Sequence, residues 1–252
     1  MFDLQKASML KRVSAWLLDV ILLSVLATGF ALLLSAAFGY DNYNDNLQRY
    51  YTEYEQLYGI DFNISDEEYL ALGEEDRLRY ADAYAKLNDD ADVSRAFSII
   101  IQLSLAIMSL SVLLAYMALE FAVPVWLKNG QTIGKKIFGL AVMRTDSVRV
   151  KPIAMLIRTL LGKYTIETMA PLLIIFLILF GSLGTVGLIM LAALALLQIV
   201  LIAATHTNSA IHDILAQTVV VDMESQMIFD SAREREARRR EYAEADSARW
   251  GQ

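Results

Sequence analysis

From Lys11 to Tyr40 the chain reads KRVSAWLLDVILLSVLATGFALLLSAAFGY, an apolar run interrupted by a single carboxylate, Asp19. A helix needs about 20 apolar residues to cross a bilayer, so this run is long enough to span one. A charge near the centre of such a helix costs about 2.5 to 3.5 kcal/mol on insertion scales. Asp19 must therefore be sheltered. Arg12 lies close to two helical turns earlier, so both side chains project from one face, about 10 Å apart along the axis. That face is predicted to pack against other helices or a wet cavity, with Arg12 at the inner interface and Asp19 deeper. Lys6, Lys11 and Arg12 ahead of an apolar run also resemble the start of a secretory signal. A signal core spans only about 7 to 15 residues, so the run is expected to be a retained helix.

The rest of the composition extends this reading. Of 252 residues, 56% are hydrophobic, and they cluster over residues 13–39, 97–127 and 166–205. Such clustering marks an integral membrane protein. Cysteine is absent, which excludes disulfides, thiolate metal sites and a cysteine nucleophile. The expected fold is an all-α membrane protein: a four-helix transmembrane bundle with a polar helical extracytoplasmic insert and a small cytoplasmic amphipathic and β element. Its segments are the N-terminus and first span (1–40), an acidic helical insert (41–96), the second span (97–127), a basic cytoplasmic segment (128–165), a transmembrane hairpin (166–205), and a cytoplasmic His-Asp segment with a charged tail (206–252).

Acidic and basic residues are segregated, so the net charge of -7 hides the pattern that matters. The insert holds most of the tyrosines and three times as many acidic as basic residues. Ser65 followed by Glu68 has the form of a capping box, and two helices joined near residues 59–65 are expected. From Lys128 to Lys163 the sign reverses, with Lys128, Lys135, Lys136, Arg144, Arg149, Lys151, Arg158 and Lys163 against Asp146 alone. This is the positive-inside signature, and it predicts both termini in the cytoplasm and the insert outside, at the plasma membrane. Lys135 and Lys136 are expected to face lipid. The stretch PIAMLIRTLLGKY from Pro152 is expected to lie along the inner leaflet. Gly130, Gly134 and Gly139 are read as close-packing positions. The order G-x-x-x-G-K-K, with no hydroxyl residue after the lysines, is not a phosphate loop.

In the second span, Glu120 sits about two turns before the charged exit at Lys128, at a depth resembling that of Asp19. It is expected to pair with Arg12 or a cytoplasmic lysine. Pro124 removes a donor and frees the carbonyl of Glu120, which permits a kink. His206 and His212 are the only histidines, too few and too far apart to argue for a metal. No metal and no cofactor are expected. Ala216 to Val221 reads as a buried strand, with Gly139 to Met143 as its partner. The tail after Ser231 reads as an exposed helix with pairs Glu234 to Arg238 and Glu236 to Arg240. Its acids offset its arginines, so nucleic acid is not an expected partner.

Arg12 and Asp19 in the first helix, GQTIGKKIFGLAV from Gly130 to Val142 and HDILAQTVVV from His212 to Val221 together resemble the RDD family of small membrane proteins. The family is named for an arginine at the head of the first helix, an aspartate within it, and a second aspartate. The resemblance carries the second aspartate onto Asp213. Gln217 stands where the family more commonly has glycine. For activity the resemblance implies transport, which is suggested for the family together with some resemblance to cation/proton antiport.

Two function classes follow. In the first, Asp19 or Glu120 exchanges a proton for a cation at mid-depth, Arg12 keeps the carboxylate ionised, and Asp213 and His212 take part. Buried ionisable groups in membrane segments mark such sites. A homo-oligomer is expected, because four helices line a path only narrowly. In the second, Arg12, Asp19 and Asp213 form a structural ion-pair network of a membrane scaffold that docks a protein partner through the insert. No nucleophile elbow or zinc-protease helix is present, so an enzyme is not expected.

Overall fold

The computed structural model describes residues 6–250. Among the described residues, four helices are long and apolar enough to cross a membrane: Met9–Phe38, Ala91–Leu127, Pro152–Leu179 and Gly184–Ala204. The chain is an all-α membrane protein. It divides into two compact units, one of residues 29–111 and the other of the remaining chain.

The unit of residues 29–111 carries the end of helix α1 (Met9–Phe38), helices α2 (Tyr40–Tyr58), α3 (Asp66–Ala71) and α4 (Glu74–Asp89), and most of α5 (Ala91–Tyr116). The insert is thus three helices where the sequence suggested two. Leu72 is extended at ψ 147°, which separates α3 from α4. Ser65 and Glu68 form the expected capping box, with Glu68 N–H donating to Ser65 Oγ at 3.3 Å and Ser65 N–H to Glu68 Oε2 at 2.8 Å. Leu47, Leu87, Val93, Ala96 and Ile100 form a core sheathed by tyrosines. Phe62 makes edge contacts with Tyr51 at 5.8 Å and Tyr80 at 5.7 Å, so these aromatics pack locally.

In the other unit, α5 passes into a π-helical turn, Met117–Ala122, and then α6 (Val123–Leu127). Proline explains the change of register. Pro124 has no N–H for the carbonyl of Glu120, and Val123 N–H reaches back five residues to Ala118 O. Helix α7 (Ile133–Ile137), capped by Thr132, leads into β1 (Leu140–Arg144). Helix α8 (Pro152–Ile157) continues without a break through a π-helical stretch, Arg158–Met169, into α9 (Ala170–Leu179). The third span therefore begins at Pro152, well before residue 166. The stretch PIAMLIRTLLGKY is part of that helix and not a separate one on the leaflet. Its Arg158, Thr159, Gly162 and Lys163 are buried, so its polar groups point into protein.

Helix α10 (Gly184–Ala204) returns from the turn after α9, followed by α11 (Ile211–Leu215), β2 (Thr218–Asp222) and α12 (Ala232–Trp250). Strands β1 and β2 pair antiparallel with Leu140 opposite Asp222 and Arg144 opposite Thr218. Alternation sorts their side chains: Leu140, Val142 and Val220 pack with Ala7 and Ala15 on one face, and Ala141, Met143, Val219 and Val221 on the other. Ala15 and Asp19 are the residues α1 buries among those described. Along α12, Arg238 pairs with Glu241 at 3.2 Å, whereas Glu234 accepts the N–H of Asp230 at 2.9 Å in place of an arginine.

Candidate functional site: a cavity with an ion-paired end

The turn from Lys128 to the strand brings α7 against α1. Thr132 is the cap of α7 and also donates its hydroxyl to Asp19 Oδ2 at 2.5 Å. The N–H of Gly134, at the helix N-terminus, donates to Asp19 Oδ1 at 2.8 Å. Lys135 Nζ completes the shelter, 3.5 Å from Asp19 Oδ2 and donating to Thr132 Oγ1 at 3.1 Å. Lys135 is therefore buried and does not face lipid, while Lys136 is exposed. Burial drives the Lys135 ammonium down to about 8. A Cβ on Gly134 would collide with Ala15 O and approach Asp19 Oδ1 to 2.8 Å, so only glycine allows the approach. Gly130, at φ +62°, is similarly close to Val142 O. Gly139 has open space around its Cα, and its φ of +67° marks a turn and not close packing.

Arg12 does not hold Asp19. Its Nη2 lies 3.7 Å from Asp213 Oδ2, and Asp213 Oδ1 accepts from Arg158 Nη2 at 2.8 Å. The Arg12 and Asp19 side chains share a helix, yet each meets a different partner segment. Asp213 also accepts the N–H of Ala210 at 3.3 Å and the Thr218 hydroxyl at 3.3 Å. Burial opposes its ionisation, but the Arg158 and Arg12 guanidiniums and the Ala210 N–H hold its carboxyl below the usual range.

Glu120 pairs with Lys163 of the third span at 2.6 Å. Its carbonyl, released by Pro124, accepts the hydroxyl of Thr159 at 2.8 Å. Gly162 admits His212, whose Cβ sits where a Cβ on that glycine would lie. His212 Nδ1 is 2.8 Å from Glu167 Oε2, and its Nε2 is 3.6 Å from Asp213 Oδ2. Burial pushes the imidazole below its ordinary value, opposed by Asp213 and Glu167 and assisted by Arg158 and Lys163. His206 is exposed and does not line the cavity described below. Among the described residues, no three His, Asp or Glu side chains form a group able to hold a metal.

Of these groups Arg12, Lys135, Arg158, Lys163, Glu167, His212 and Asp213 line a cavity of about 860 Å³, to which Asp19 and Glu120 are tied through Lys135 and Lys163. Val13, Trp16, Val20 and Leu23 of α1 line it at helical spacing, as do Leu191, Leu194, Ala195 and Gln198 of α10. In sequence Arg158 and Lys163 read as basic residues of a cytoplasmic segment and Glu167 carries no assignment, although all three are ionisable residues inside the helix that starts at Pro152. Thr132 gave no signal beyond its capping position.

No curated protein and no solved structure matches this chain. The family model for the RDD family matches residues 6–217, a range that contains Arg12, Asp19 and Asp213. The chain is a membrane protein of the RDD family.

Proposed function

We propose that this protein transports a small solute through the cavity together with a proton, and does not transform it. The observation that carries this reading is a cavity of about 860 Å³, bounded by membrane helices, with ionisable groups at one end. That volume is within the range of small-molecule sites, about 300 to 1,000 Å³. His212 supplies the coupling. Its Nδ1–H donates to Glu167, and burial keeps the ring neutral near pH 7 when the site is empty. Negative charge entering beside it favours the imidazolium, with Nε2 taking the proton next to Asp213. Solute and proton then enter together. Alkali cation exchange at Asp19 or Glu120 has less support, because a fixed lysine already occupies each carboxylate. The lysines and arginines of residues 128–151, ahead of the third span, support cytoplasmic termini at the plasma membrane, with the insert outside.

Reconstituted vesicles with an internal pH dye test this reading. External decanesulfonate, which stays ionised, should acidify the lumen in wild type and fail to do so in His212→Gln. Sodium, potassium and lithium form parallel arms, and cation-driven alkalinisation would favour exchange. No proton movement with any of these probes would count against transport.

The second reading, a scaffold, is favoured by one observation: Asp19, Glu120 and Asp213 are each matched by a cation of the chain. Breaking such pairs destabilises the fold. A stoichiometric protein partner, lost when residues 41–90 are replaced by a linker, would support it.

A further inference from the structure

The cavity is polar at one end only, and that asymmetry defines what fits it. At the polar end Arg12, Lys135 and Lys163 retain 14%, 10% and 10% side-chain exposure, and Glu167, at 20%, is the most exposed of the carboxylates, with Asp19 at 9% and Glu120 at 6% each held by its lysine. Glu167 is already engaged by the His212 ring and backbone N–H and by Gln198. Behind these groups Arg158 uses Nη2 on Asp213, while its Nε and Nη1, both shielded from solvent, find no acceptor among the described residues. Arg158 also lines the cavity. A buried guanidinium with two idle nitrogens is costly unless something supplies oxygen atoms.

Away from this end the wall is apolar. On α1 it runs from Arg12 to Leu23, about 16 Å along the helix axis. On α10 the same order holds, with Gln198 near the charged end and Leu194 and Leu191 beyond it. One alkyl chain lies naturally along such a wall, and the volume suits one chain and not a whole two-chain lipid.

We infer that the cavity binds a single-chain amphiphile with an anionic oxygen headgroup, phosphate or carboxylate, its head at Arg12, Arg158 and Lys163 and its tail between α1 and α10. The inference rests on the transport reading for its meaning as a substrate, but binding is measured without flux. Full-length protein in a neutral detergent is titrated with decyl phosphate, with a phosphocholine of the same chain length, and with inorganic phosphate, and bound ligand is counted by native mass spectrometry. Decyl phosphate should be retained about tenfold more tightly than the phosphocholine, as one charge-assisted hydrogen bond would give. Inorganic phosphate should not compete.

Two variants separate site from surface. Ala195→Trp fills the apolar wall without touching an ion pair and should abolish retention at an unchanged melting temperature. Arg158→Lys, which keeps a cation beside Asp213, should weaken it. Equal retention of the two amphiphiles, full competition by inorganic phosphate, or undiminished retention in a folded Ala195→Trp protein would each overturn the inference. Binding without vesicle flux would leave the inference standing and reject transport.

Discussion

Asp213 is the residue on which most of the polar end depends, since it joins Arg12 of the first span to Arg158 of the third. Removing its charge leaves two buried guanidiniums without a counterion. Asp213→Asn should lower stability by about 3 to 5 kcal/mol, as expected for half of a broken buried pair. Asp19→Asn should cost less, because an amide there still accepts from Gly134 and bonds Thr132. Thermal unfolding of both variants in one detergent gives the order, and a reversed order would contradict it. At Gln217 the backbone sits at φ +52°, a conformation that favours glycine. Gln217→Gly should therefore raise stability by about 1 kcal/mol, read as a higher melting temperature.

His212 also makes a prediction in pH. Its folded-state pKa lies below the ordinary 6.5, so the unfolded chain binds the proton more readily. Its contribution to stability is present above about pH 6.5 and is lost as pH falls towards the folded value. The slope is bounded by one proton, about 1.4 kcal/mol per pH unit. Asp213 adds a separate loss at lower pH, below its ordinary 3.8. Melting temperatures between pH 7 and 5 should fall in wild type and stay flatter in His212→Gln.

At the scale of elements, the spans themselves were legible because length and hydropathy dictate them, and the strand pair because β-branched residues cluster at Val219 to Val221. The π-helical stretches were not. Nothing in local composition announces an i→i−5 register, although Pro124 signals a freed carbonyl at Glu120. The same blindness misplaced the start of the third span. Arg158 and Lys163 look like a basic inner-leaflet face until the helix is known to turn them inward against Asp213 and Glu120. Pairing was legible only in kind: Asp19 needed a sheltering cation, but sequence could not choose Lys135 over Arg12. Thr159→Val tests the splice between the second and third spans. Loss of its hydroxyl on the Glu120 carbonyl should cost about 1 to 2 kcal/mol, measured by thermal unfolding.

For the whole molecule, the acidic insert and the cavity are separable. The cavity-lining residues all lie outside the unit of residues 29–111, which has its own core of Leu47, Leu87 and Val93. Replacing residues 41–90 with a short linker should leave decyl phosphate retention unchanged. Coupling requires the buried acid–base cluster to take up a proton when negative charge enters the cavity beside it. Proton uptake by the purified protein can be recorded in weakly buffered neutral detergent solution on adding decanesulfonate at pH 7. Uptake approaching one proton per chain is expected in wild type and none in His212→Gln; no uptake in wild type, or the same uptake in both, would rule the coupling out.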